Sequence, residues 1–168
     1  MVRSPSHFLL AIALVGGLAL GACGKPESIG YGGPPGVKSP APPLPGWSAD
    51  WMGKDFSVLA RSPGKCTGKV DLVSERHIGA NPGSEIEGWA WDLDGKRPVS
   101  RVLLLDQSNR VVGAADAGRL RPDVPKAIKD VTTPAVGWKG VAHLTSGVVT
   151  AAAITADNTS CIIGSIDL

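Results

Sequence analysis

No run of apolar residues in this chain reaches the roughly 20 that a membrane-spanning helix needs. The most apolar stretch, Phe8 to Leu20, stops at 13. Charge of one sign is missing too, since 17 Lys and Arg stand against 15 Asp and Glu. Nucleic acid and anionic lipid both require clustered basic charge, so neither is an expected partner. Cysteine and histidine number three each and never fall into CxxC or HExxH spacing. His77 and His143 stand alone, so no metal site and no cofactor are expected. Ser74 and His77 lie close in sequence, but no G-x-S-x-G elbow accompanies them. The chain is therefore expected not to be an enzyme.

What is present begins at the N-terminus. Arg3 is the only formal charge ahead of the 13-residue apolar run, which suits a signal-peptide core better than a helix that spans. Leu20-Gly21-Ala22-Cys23 follows it. An ordinary secretory peptide would end in a small-x-small site, and Leu20-Gly21-Ala22 is a poor one. The four residues resemble the lipobox of bacterial lipoproteins, with Cys23 as the first mature residue. That resemblance implies a lipidated Cys23, a signal peptide over 1–22 and a protein held to a membrane by acyl chains. It places the chain in a bacterial cell envelope. Gly24, a residue other than Asp after the cysteine, implies the outer membrane in a Gram-negative host, facing the periplasm or the cell surface. The alternative is a plain secretory peptide with a chance cysteine.

Removing residues 1–22 from 168 leaves 146, enough for one domain with a real core. With Cys23 assigned to lipid, Cys66 and Cys161 remain, and an oxidising compartment allows them one intramolecular bridge. Two buried free thiols are the alternative. Gly24 to Gly46 holds seven prolines and six glycines in 23 residues. Such a tract cannot sustain backbone ladders, so 23–46 is expected to be a disordered tether reaching up to about 70 Å at polyproline rise. Residues 47–65 carry Trp47, Trp51, Met52, Phe56, Val58 and Leu59 and read as a lead-in that packs on the domain. Ser48-Ala49-Asp50 starts a short helix there, ended by Ser62-Pro63-Gly64.

From Cys66 the pattern is β. Strands are expected at 66–78, 84–92, 99–106, 110–116, 140–145, 148–156 and 160–167, separated by turn sequences such as Asn81-Pro82-Gly83, Asp94-Gly95 and Asp157-Asn158. Glycine at 95 would supply the positive φ of a hairpin turn. The run 148–156 has four alanines yet keeps the strand rhythm. Residues 118–140 break it with one or two capped helical turns after Asp123, read as a crossover between sheets. The expected fold is all-β: a small antiparallel β-sandwich of about seven strands over 66–168, Ig-like or similar, with one short helical crossover.

Gly88-Trp89-Ala90-Trp91-Asp92, Arg101 to Asp106, Val111-Val112-Gly113, Arg121-Pro122-Asp123-Val124 and Gly137-Trp138-Lys139-Gly140 follow in that order. They are similar to a β-sandwich module at the extracytoplasmic C-termini of some bacterial glycan-handling membrane proteins. The resemblance covers about 66–168 and implies a glycan-associated binding or structural role.

Two residues apart, Trp89 and Trp91 share a strand face with Glu85 and Glu87. Rings beside carboxylates suit a sugar platform, since rings stack on pyranose C–H faces and acids accept from hydroxyls. The alternative is that the tryptophans are core, with a bulge at Gly88. Glu85 and Glu87 sit too close on one face to flank a glycosidic bond. Asp92-Leu93-Asp94-Gly95 lacks the later ligands of a calcium loop and reads as a turn. The Asn158-Thr159-Ser160 sequon has little weight in a bacterial lipoprotein. The leading expectation is a non-catalytic glycan-binding envelope lipoprotein. The alternatives are a structural or assembly lipoprotein docking onto another envelope protein, and a hydrolase with an unrecognised site.

Overall fold

The computed structural model describes residues 34–59 and 62–168. The expected signal peptide and lipobox, with Cys23, lie outside the described residues. Nine strands form one mixed sheet: β1 Gly36–Val37, β2 Cys66–His77, β3 Gly83–Asp92, β4 Arg97–Pro98, β5 Arg101–Leu105, β6 Val111–Arg119, β7 Gly137–Ala142, β8 Val148–Ile154 and β9 Ser160–Asp167. Their order is β1-β2-β3-β7-β6-β5-β8-β9, with β4 attached to β3 alone. The pairing of β1 with β2 is parallel, and the other pairs are antiparallel. Two single-turn helices, α1 Phe56–Leu59 and α2 Val124–Ala127, complete the described elements with a 3-10 turn at Gly46–Ser48.

The sheet curls until β2 and β9 meet without a ladder between them. A disulfide joins Cys66 to Cys161 across this seam, with Cα atoms 6.2 Å apart and 95 residues between them in sequence. Just before β2, Ser62 and Gly64 exchange backbone hydrogen bonds with Ser160. Inside the curl Ile86 and Ala90 of β3, Val102 and Leu104 of β5, Ala115 of β6, Trp138 of β7 and Ala151 and Ala153 of β8 form one buried cluster. The alanines of β8 that favour helix by propensity are needed here for size. Strands bending around a narrow interior leave room for methyl groups where larger side chains would collide. At one position even a methyl is too much. Gly88 pairs with Trp138, and a Cβ there would lie 2.5 Å from the Trp138 ring.

Strands β3 and β5 are buried on both faces, so their sequences run apolar without strict alternation. The outer face is covered in two places. Trp47, Trp51, Met52, Phe56 and Leu59 of the lead-in pack over Leu103, Leu105, Val111, Ala114, Ala152 and Ile154. The expected helix from Ser48 is not formed. Instead, Asp55 caps the single turn α1 by accepting from the Ser57 amide at 2.8 Å. The second cover is the β6–β7 connection, whose Val124, Val131 and Val136 pack on Trp89 and Trp91.

Three expectations need correcting. The helical turn after Asp123 is present, but it joins β6 and β7, antiparallel neighbours in the same sheet, so it is a lid on the outer face and no crossover. The proline-rich tract is no free tether from Gly36 onward. β1 pairs with Arg76 and His77, the Ala41 amide donates to the Asn81 carbonyl at 2.8 Å, and Ala41 is buried. Proline cannot donate to a ladder, yet it packs well against one. In the β3–β4 turn the positive φ belongs to Lys96 (48°), and Asp92 closes the turn by accepting from the Asp94 and Gly95 amides at 3.1 and 2.9 Å. That carboxylate is committed to its own loop, as the turn reading of Asp92 to Gly95 requires.

Candidate functional site

Between the two covers a strip of the outer face stays polar. The register sets Glu87 of β3 opposite Lys139 of β7, Lys139 opposite Asp116 of β6, and Asp116 opposite Arg101 of β5. Four neighbouring strands thus carry a row of alternating charge, the cross-strand arrangement that stabilises pairs instead of straining them. Lys139 Nζ lies 3.1 Å from Glu87 Oε1 and 2.5 Å from Oε2 of Glu85, one pleat away. At the other end Trp47 Nε1 donates to Asp116 Oδ1 at 2.8 Å, while the Arg101 guanidinium sits 4.8 Å from the Trp47 ring centroid.

Above this row lies a groove of about 310 Å³. Its floor is Ala114, Gly140 and Val141, one wall is formed by Pro42, Pro43 and Pro45, and its rim holds Glu85, Asp116, Arg119 and Lys139. Glu85 is 6% exposed. Burial alone would raise its pKa, yet hydrogen bonds from Lys139 and His77 hold the carboxyl below the usual range. The same bond, donated by Lys139 to Glu85, followed by the one it donates to Glu87, raises the pKa of Lys139 despite its partial burial.

The imidazole of His77 belongs to this network, although the sequence shows it alone. Its Nε2 lies 2.9 Å from Glu85 Oε1 and 3.9 Å from Glu75 Oε2, and Nδ1 lies 3.1 Å from the Ser39 hydroxyl. Glu75, His77 and Glu85 each place a ligand-type atom within 4.8 Å of the others, the arrangement among the described residues that could hold a cation. The signal for it was the Asn81-Pro82-Gly83 turn. Counting outward from it pairs His77 with Gly83, Arg76 with Ser84 and Glu75 with Glu85, before the bulge between Val73 and Glu75 is reached. His143 is exposed and takes no part.

Trp89 and Trp91 do share the outer face with Glu85 and Glu87, as the spacing implies, but they form no platform. They are 7% and 1% exposed under the β6–β7 connection. Arg121 clamps that connection down. Its guanidinium donates to Asp123 Oδ1 at 2.9 Å and to Asp71 of β2 at 2.5 Å. Hydrogen bonding to Asp123 and then Asp71 raises its pKa. Sequence parity located the face correctly and could not show that a 17-residue connection, 120–136, folds back over half of it.

No family model matches this chain, and neither does any curated protein or solved structure. Fold and site together define a disulfide-closed, curled β domain with a charged groove on its convex face.

Proposed function

We propose that this chain is a lipid-anchored bacterial envelope protein whose β domain is a non-catalytic binding module for a surface or cell-wall glycan. The carrying observation is the groove. Ammonium, guanidinium and carboxylate groups line its rim above a floor of Ala114, Gly140 and Val141, beside a wall of proline rings. Hydroxyl-rich ligands suit such a rim, because each hydroxyl both donates and accepts. The carboxylates Glu85 and Glu87 share one ammonium, which favours holding a ligand over cleaving one.

The lipobox at Cys23 and the disulfide agree with an oxidising envelope compartment, with anchoring at the outer membrane, facing the periplasm or the cell surface. We read the seven long strands as the walls of a small Ig-like sandwich bent from one sheet and closed by Cys66–Cys161.

The test is titration of the protein with envelope polysaccharide fractions, followed by amide chemical shifts. Saturable shifts at Gly140, Val141 and Ala114, lost in Arg119→Ala, support the reading. Shifts elsewhere, or none, refute it. A second reading, docking onto another envelope protein, rests on a largely apolar groove of about 700 Å³ beside the disulfide, where Leu93 and Ile162 are 37% and 54% exposed. Co-purification lost in Ile162→Asp, with no glycan response, would favour it.

A further inference from the structure

We propose that Glu75, His77 and Glu85 form a binding site for a divalent transition cation of the zinc type. The inference does not rest on the glycan reading: Glu85 also lines the groove, but Glu75 and His77 lie outside it.

The first argument is charge. Glu75 and Glu85 are directly opposed across β2 and β3, a placement that costs stability when nothing positive lies between like charges. Glu87 adds a third carboxylate, and among the described residues Lys139 is the ammonium that neutralises the group from the far side. His77 Nε2 points into the gap between the two opposed acids.

The second argument is geometry. Zinc sits about 2.0–2.2 Å from nitrogen and carboxylate oxygen, so tetrahedral ligand atoms stand about 3.3 Å apart. Here the imidazole nitrogen is 2.9 Å from one oxygen and 3.9 Å from the other. Glu85 is buried and fixed, whereas the Glu75 side chain is 41% exposed and free to adjust. A dication would enter from that side and keep water as its outward ligand.

The third argument is independent of both. A ligating histidine holds its other ring nitrogen on an outer partner, which fixes the tautomer, and a ligating carboxylate is itself hydrogen-bonded. His77 Nδ1 has the Ser39 hydroxyl at 3.1 Å, and the Glu85 oxygen turned away from the imidazole has Lys139 at 2.5 Å. Both rigid ligands are therefore oriented from behind. Ser39 sits in the proline-rich tract beside β1, so occupancy would also fasten that tract to the sheet.

The experiment is isothermal titration of the full chain, its Cys23 thiol capped, with zinc chloride. Saturable 1:1 uptake is expected. Glu75→Gln should weaken it about tenfold or more, and Ser39→Ala about tenfold through the imidazole. Asp116→Asn, on the groove rim, should leave it unchanged, which separates this site from the glycan reading. Cobalt(II) in place of zinc should give visible absorption bands that Glu75→Gln alters. Circular dichroism checks that Glu75→Gln keeps its fold, as its exposed position implies. Absence of saturable uptake overturns the proposal, as does uptake indifferent to Glu75→Gln. Equal affinity for magnesium overturns the transition-metal assignment.

Discussion

Replacing Lys139 by methionine should expose how much the outer-face network contributes. Methionine keeps most of the stem and removes the ammonium that sits 2.5 Å from Glu85 and 3.1 Å from Glu87. The Glu85 side chain is 8% exposed, so its charge is left in a poorly solvated place with His77 as its remaining neighbour within hydrogen-bond reach. Breaking a buried pair from one side costs about 3–5 kcal/mol, and the low end applies because Lys139 is 29% exposed and His77 stays.

The pH dependence gives the sharper test. In the native protein the Glu85 pKa is lowered, so its contribution is present above its unfolded pKa and lost as pH falls through the folded value. The Lys139 pKa is raised, so its contribution is full below its unfolded pKa and lost as pH rises through the folded value. The variant should therefore lose most stability near neutral pH. The deficit should shrink at acid pH, as the solution falls below the usual carboxylate range and Glu85 takes up a proton and no longer needs the ammonium. Urea denaturation of both proteins at the two pH values measures this. Adding Glu85→Gln to the variant should recover much of the loss, because a neutral amide is cheaper to bury than an unpaired charge. A deficit identical at both pH values, or no recovery in the double variant, would refute the electrostatic account and leave packing of the lysine stem as the cause.

Three further outcomes follow from the fold. Cys66→Ser with Cys161→Ser should lower stability by about 4–5 kcal/mol on the chain-entropy model, because 95 residues separate the two cysteines; denaturation read beside non-reducing peptide mapping checks both size and pairing. Gly88→Ala should cost about 1–3 kcal/mol and change the near-ultraviolet dichroism of Trp138, since the new methyl meets the ring and the Lys69 carbonyl; an unchanged midpoint would show that the ring lies elsewhere. Cys23→Ala should move the protein from the membrane fraction to the soluble one, and unchanged partitioning would sink the anchor.

Much of the architecture was legible because it depends on local pattern. Short runs rich in Val, Ile, Leu and Trp between Gly, Asn and Asp turns put the seven long strands close to where they stand. Two-residue periodicity put Trp89, Trp91, Glu85 and Glu87 on one face and Ile86 and Ala90 on the other. Cysteine arithmetic left Cys66 and Cys161 as the pair that is joined.

Whatever depended on which distant segment covers a surface was decided only by the tertiary structure. The composition of Gly36 to Gly46 argues for an unpaired chain, but a free edge of β2 at Arg76 and His77 and a polar strip beneath the prolines give it a docking place. The same tryptophans suit a sugar platform or a core. Val124, Val131 and Val136, thirty to fifty residues downstream, settle the matter by lying on them. His77 gained its neighbours in the same way. The hairpin from β2 back through β3 brings Glu75 and Glu85 to one imidazole, and the docked tract adds Ser39. Periodicity says which way a side chain points along its own strand. What it meets there depends on the closure of the sheet and the path of the connections, and these are properties of the whole chain.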